Sequence, residues 1–245
     1  MAKLLHALEV KNETETTADL YIHGTILDDE YLGFFWDDNE KTGYVLPADV
    51  RAKLQELDGK DLNVYINSDG GMVTAGVAIG NMLQRHNGRT KAIVDGWAAS
   101  IASVIFMSCD ELVMPSNTWL MVHKPSMRIE GNADELAKAC GFLDTIQEGI
   151  EKTYQGKALP DTTPEIIHDM VNNETWLTAD EAAQLFQISV IETQMQATAC
   201  LGDAYKSFRR MPDRLQPAAR EPAKEQADDL AKKKAFIMKA LADSY

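Results

Sequence analysis

The sequence lacks three features that would each indicate a particular class of protein. No apolar run approaches the ~18 residues that cross a bilayer. The three cysteines, Cys109, Cys140 and Cys200, have no Cys-x-x-Cys spacing, so neither a disulfide framework nor a zinc site is predicted. Basic residues are in deficit, with 24 Lys and Arg against 38 Asp and Glu and a formal net charge of −14, which disfavours nucleic-acid binding. We expect a protein without membrane or nucleic-acid partners and without a metal or other cofactor.

The N-terminal residues give an expectation about location. Residues 1–9 lack the long apolar stretch and the cleavage site of a signal peptide. An odd number of unpaired cysteines is typical of a reducing compartment. A cytoplasmic location is therefore expected.

Alternating strand and helix patterns predict an α/β fold. The chain has 245 residues, of which 45% are hydrophobic, enough for one large core. Short apolar strands and amphipathic helices follow one another, which favours parallel strands joined by right-handed crossovers. The predicted strands are 18–24, 62–67, 92–94, 111–115 and 118–123, and the predicted helices include 47–57, 73–86, 100–108 and 179–186.

The chain divides into three predicted parts. Residues 1–18 are an N-terminal lead-in, residues 19–200 form the core domain, and residues 201–245 form a tail. The tail has a polar, proline-containing linker and then an amphipathic helix over 223–242. Within the core, helix 132–154 has an apolar stripe that suits either an intramolecular core or a contact with another subunit, and the sequence leaves both open.

Ser100 lies where a hydroxyl can be exposed for nucleophilic attack. The segment from Lys91 passes through an apolar strand and a glycine turn at Gly96, and then enters a helix of small residues. A serine on a strand-to-helix turn presents its Oγ beside free backbone N–H groups. A serine with a purely structural role would show the same pattern. The other residues of the site are therefore needed to distinguish a catalytic from a structural serine.

Two further segments supply the groups that a nucleophilic serine needs. The turn Asn67–Gly71 leaves a strand with two glycines, and we expect the N–H groups of Gly70 and Ile101 to form an oxyanion hole. His123 ends another strand and is the histidine placed to act as general base. A carboxylate would orient this histidine, and local chemistry does not choose among Asp169, Glu174 and Asp180.

These residues resemble the ClpP family of serine peptidases in order and spacing. The matching blocks are Asn-Ser-Asp-Gly-Gly at 67–71, Gly-Trp-Ala-Ala-Ser at 96–100, and Met-Val-His-Lys-Pro at 121–125, and Trp-Leu-Thr-Ala at 176–179 extends them. The resemblance covers residues 18–190. Within the family, residues 131–136 and 174–176 most resemble the phage head maturation, or prohead, proteases.

The resemblance implies a fold and a set of roles. It implies a crotonase-like fold of stacked ββα units with a protruding long helix, and homo-oligomeric rings in which helix 132–154 packs on a neighbour. Ser100 is then the nucleophile, His123 the general base, Gly70 and Ile101 the oxyanion hole, and Glu174 the acidic member. Aligning the family on residues 177–179 places its acidic member at Glu174. ClpP proper has an aspartate at the position of Glu174.

Two further positions depart from the family pattern. Asp69 replaces the usual proline of the glycine turn, which adds a charge beside the oxyanion site. Phe186 and Ser189 replace the usual glycine and aspartate after the last core helix, so the end of the core there can differ.

Three functions remain open from the sequence. The first is a serine endopeptidase that cleaves scaffold or capsid proteins in the host cytoplasm or the prohead interior. The second is a housekeeping ClpP-type subunit that works with an ATP-driven unfoldase. The third is a crotonase-like assembly protein without catalysis, against which the retention of both Ser100 and His123 argues.

Overall fold

A computed structural model describes residues 7–32, 43–192 and 208–212. Across these three ranges no helix has the length and apolarity needed to span a bilayer. The same residues bring together no cluster of three histidine, cysteine or acidic side chains that could hold a metal ion.

The chain alternates strands and helices, as the sequence predicts for an α/β protein. The strands are β1 (Leu8–Lys11), β2 (Thr17–His23), β3 (Thr25–Ile26), β4 (Tyr44–Val45), β5 (Asp61–Ser68), β6 (Thr90–Ala99), β7 (Glu111–Pro115), β8 (Trp119–Val122), β9 (Thr175–Thr178) and β10 (Ile188–Ile191). The helices are α1 (Asp29–Leu32), α2 (Pro47–Glu56), α3 (Val73–Gln84), α4 (Ile101–Met107), α5 (Ala133–Gln155), α6 (Pro164–Asn172) and α7 (Ala179–Ala183).

Most of these strands form one mixed sheet with a parallel centre. Its order is β1-β2-β5-β6-β7-β10, in which β2, β5, β6, β7 and β10 run parallel and β1 is antiparallel at the edge. β8 and β9 extend the sheet from the far end of β6. The short strands β3 and β4 pair separately.

One face of the central sheet forms the core. Alternate residues of β5 are buried, including Leu62, Val64 and Ile66, while Asn63 and Tyr65 on the other face are partly exposed. This period-2 burial is typical of a strand with one face covered. Apolar side chains of α2, α3 and α4, among them Val50, Ile79 and Ile105, belong to the same buried cluster.

β6 is longer than the sequence predicts, and it pairs with two different partners. Its first half pairs with β7 at Lys91–Ile93, and its second half pairs with β8 at Trp97–Ala99. The predicted turn at Gly96 is therefore wrong, because the strand continues to Ala99. Asn67 explains the continuation: a bulge lies beside it in β5, and its side-chain oxygen accepts the Trp97 N–H at 3.3 Å.

Ordered structure extends into two segments that were predicted as lead-in and linker. β1 lies within residues 1–18 and forms the antiparallel edge of the sheet with β2. Residues 208–212, within the predicted linker, pack against the body of the protein. The predicted helix 223–242 lies outside the described residues.

Close packing of α3 on α4 positions the turn that carries Ser100. A Cβ atom on Gly76 of α3 would lie 2.2 Å from Cγ1 of Ile101, the first residue of α4. We expect Gly76→Ala to lower the free energy of unfolding by about 1–3 kcal/mol, because overpacking forces the helices apart. Urea denaturation measures this change.

Gly149→Ala in α5 is the matched control for this prediction. Nothing lies within 4 Å of a Cβ atom placed there. Better helix propensity should raise the free energy of unfolding by roughly 0.5–1 kcal/mol. Equal effects of the two substitutions would contradict the tight α3–α4 contact.

Candidate active site

Ser100 lies in a strained turn between β6 and α4. Its backbone has φ 56° and ψ −130°, a conformation that non-glycine residues rarely adopt. Its N–H donates to the carbonyl of Met121 at 3.0 Å, and its own carbonyl accepts the N–H of Ser103 at 3.0 Å. Strain of this kind costs about 1–3 kcal/mol and persists where the surroundings over-determine it. The turn therefore holds Oγ of Ser100 in a fixed position.

Strand pairing brings His123 to this serine. β8 pairs with Trp97–Ala99 of β6, and His123 directly follows β8. Nε2 of His123 lies 2.7 Å from Oγ of Ser100, which is hydrogen-bonding distance. Two residues separated by 23 positions, each predicted at a strand end, thus form a nucleophile–base pair in geometry.

Burial makes His123 more readily neutral than an ordinary histidine. Desolvation is the largest influence and lowers the pKa of the imidazole, the charge of Glu174 raises it, and Arg209 lowers it further. The net pKa lies below the usual histidine value. A neutral imidazole at neutral pH is the form that can accept the proton of a serine hydroxyl.

Glu174 lies near His123 but does not hydrogen-bond to it. It connects α6 to β9 with a positive φ of 50°. Its Oε1 accepts the backbone N–H of Arg210 at 2.6 Å. The charge of Glu174 acts on the pKa of His123, whereas those of Asp169 and Asp180 are not among its causes. Of the three carboxylates left open by local chemistry, Glu174 is the one within electrostatic reach of the imidazole.

The structure corrects the expectation that Gly70 donates to an oxyanion. Gly70 packs against the serine turn, since a Cβ atom there would lie 2.6 Å from Cβ of Ser100 and 3.1 Å from N of Ile101. Its N–H, however, already donates to Oγ of Ser68 at 3.1 Å. The N–H is engaged within its own turn and is not free for a ligand.

The N–H of the next residue, Gly71, is the alternative candidate for this donor. Ile26 forms an isolated parallel bridge with Gly71. The Ile26 N–H donates to the Gly70 carbonyl, and the Met72 N–H donates to the Ile26 carbonyl. In such a bridge the N–H of the middle residue points away from the bridging strand. Within the described ranges, neither Gly71 N–H nor Ile101 N–H has an acceptor. The sequence shows only a pair of glycines, and which of their two N–H groups is engaged depends on Ser68 and on the bridge to Ile26.

Asp69 places an ionisable group directly before these glycines. It is partly buried, and burial raises the pKa of its carboxyl group, while a hydrogen bond with Trp97 lowers it. Its Oδ1 has no hydrogen-bond partner in the described part of the chain. The family's proline would introduce no ionisable group at this position.

A small cleft of mixed polarity opens beside Ser100 and His123. Tyr154 of α5 lines the cleft, and its hydroxyl lies 2.8 Å from Oγ of Ser103 in α4. The other lining residues are Val73, Ile101, Val104, Lys124, Pro125 and Ile150.

Residues 208–212 form a neighbour of the site that sequence reasoning missed. The ring of Phe208 lies edge-on to that of His123, with centroids 6.2 Å apart. Met211 is buried between tryptophans. No local sequence signal predicts this, because the segment reads as a basic, proline-containing linker.

The electrostatics of His123 can be tested by titration. Arg209→Ala removes a positive charge and should raise the pKa of the imidazole, because the protonated form is then less disfavoured. Glu174→Gln removes a negative charge and should lower it. NMR titration of the His123 ring measures both shifts, with His86, which hydrogen-bonds the Lys60 carbonyl, as an internal reference. Shifts in the same direction would contradict the described placement of the two charges.

A family comparison covers this site. The family model for Clp protease matches residues 48–194, more than half of the chain. The matched region extends from α2 past β10 and contains Ser100, His123 and Glu174. The mixed α/β architecture agrees with a ClpP-like fold. On the extent of this match, the chain belongs to the Clp protease family of ClpP-type serine peptidases.

Proposed function

We propose that this protein is a serine endopeptidase in which Ser100 is the nucleophile and His123 the general base. The observation that carries the proposal is the 2.7 Å contact between Oγ of Ser100 and Nε2 of His123, on a strained turn that fixes the hydroxyl. The family match supports the class of chemistry.

The reaction begins with acylation of Ser100. His123 accepts the hydroxyl proton at Nε2 while Oγ attacks the peptide carbonyl, and the carbonyl oxygen becomes an oxyanion. The N–H groups of Ile101 and Gly71 are the donors for this oxyanion. The tetrahedral intermediate then expels the amine, which takes the proton from His123 and leaves an acyl-enzyme.

Deacylation reverses the proton path. His123 removes a proton from water, the resulting hydroxide attacks the ester carbonyl, and Ser100 leaves with the proton returned from Nε2. Glu174 stabilises the imidazolium that forms twice in this cycle, through its charge. Its carboxylate is bound to the Arg210 N–H rather than to His123, so its contribution in this arrangement is electrostatic.

For the biological substrate we propose scaffold or capsid proteins of a phage head. Support comes from Glu174 in place of aspartate, from residues 131–136 and from the extended tail, which resemble the prohead proteases. We also propose a homo-oligomeric ring. Leu136 and Phe142 on α5 are 42% and 54% exposed, and apolar side chains of this size favour burial against another subunit.

Substitution of the pair tests the chemistry. Ser100→Ala and His123→Ala should each lower cleavage of a scaffold or capsid protein by about 10³-fold or more, because the nucleophile or its base is lost. Quantitative gel or mass-spectrometric analysis of the products measures the loss. Ser189→Ala, which removes an exposed hydroxyl on β10, is the control and should retain most of the activity. Full cleavage by a folded Ser100→Ala variant would overturn the proposal.

A second experiment tests the substrate class. The protein should cleave a purified scaffold or capsid protein in a buffer that contains neither ATP nor an unfoldase. Cleavage that requires an added ATPase would instead support a housekeeping ClpP-type subunit. An intact substrate in both conditions, with Ser100 still reactive, would exclude capsid and scaffold proteins.

A further inference from the structure

Residues Phe208–Pro212, which we call the strap, lie on the candidate active site as a bound peptide would. We propose that the strap is a tethered inhibitor: Met211 occupies a substrate subsite for a large apolar side chain, and the strap has to leave before a polypeptide reaches Ser100. This inference rests on the proposed peptidase function and adds a side-chain preference and a form of regulation to it.

The first support is the pocket that holds Met211. Met211 is 7% exposed and packs with Trp97, Ala99, Met121 and Trp176. Two of these residues adjoin the turn that carries Ser100. Ala99 precedes Ser100 in the chain, and the Met121 carbonyl accepts the Ser100 N–H. A flexible thioether suits such an aromatic-walled gap. The pocket is distinct from the cleft beside Tyr154, because the two share no lining residue.

The second support is the position of Phe208. Its ring lies 6.2 Å from that of His123 and 5.3 Å from that of Trp176, edge-on to both. Phe208 therefore packs beside the imidazole of His123. A polypeptide approaching this side of His123 would meet the phenyl ring first.

The third support is the way the strap is bound between these anchors. The Arg210 backbone N–H donates to Oε1 of Glu174 at 2.6 Å, and its guanidinium donates to the backbone and side-chain oxygens of Asn173 at 3.1 and 3.0 Å. Main-chain hydrogen bonds combined with side chains in pockets are how extended peptides are recognised. The strap combines one such main-chain hydrogen bond with an apolar side chain in a pocket.

An unsatisfied polar group shows why a substrate can displace the strap. The indole N–H of Trp176 is buried and has no acceptor in the described ranges, although Met211 packs on the same ring. A buried donor without an acceptor costs free energy, which a peptide carbonyl at that position would recover. The strap fills the pocket but leaves this donor unpaired, so it is an incomplete ligand held by its tether.

Displacing Met211 in the full-length protein tests the proposal. Met211→Asp should release the strap, because a carboxylate is unstable between two tryptophans. The rate at which a fluorophosphonate probe labels Ser100 should then rise about tenfold or more. Met211→Leu preserves the apolar anchor and should label within about twofold of the natural protein. Where Met211→Asp fails to fold, Phe208→Ser serves as the second variant.

A peptide supplied in trans completes the test. A synthetic peptide of residues 207–213 should slow labelling of the Met211→Asp variant competitively, and a scrambled peptide of the same composition should not. Labelling of Met211→Asp that is equal to or slower than that of the natural protein would overturn the strap as an inhibitor, and a slower rate would show instead that it completes the site through Glu174. Absence of label on Ser100 in every variant would overturn the proposed peptidase function itself.

Discussion

The pairing of Trp97–Ala99 in β6 with Trp119–Met121 in β8 is the constraint on which the rest of the site depends. It gives the Ser100 N–H its acceptor, the Met121 carbonyl, and brings His123 within 2.7 Å of Oγ. The pairing is possible because β6 leaves β7 after Ile93 and continues past a bulge beside Asn67. β6, which pairs first with β7 and then with β8, therefore sets the relative positions of Ser100 and His123.

The pairing of β6 with β8 also organises the surroundings of Ser100 and His123. β9 pairs with β8 and places Trp176 opposite Met121, which builds the pocket that Met211 fills. On the other side, the Ser103–Tyr154 contact links the serine turn to α5, the long helix that we propose as a subunit contact. Strand pairing thus builds one pocket, and helix packing builds the other. A change in either region should be felt at Ser100, because both bear on a turn with a strained backbone.

The sequence predicts the α/β fold, Ser100 and His123 because their signals are local. A serine between a strand and a small-residue helix and a histidine after an apolar strand need only their neighbours to be recognised. The oxyanion donor could not be predicted in the same way: whether Gly70 or Gly71 offers a free N–H depends on Ser68 Oγ and on the bridge to Ile26. The strap could not be predicted either, because the burial of Met211 depends on tryptophans more than 30 residues distant.

Covalent labelling shows whether Ser100 is an activated nucleophile. Fluorophosphonate-treated protein would be digested and each labelled residue identified by peptide mass spectrometry. We expect one label, on Ser100. The label should be lost in His123→Ala, because the base is needed for attack on phosphorus. Label on another serine, or unchanged labelling of Ser100 without His123, would contradict it.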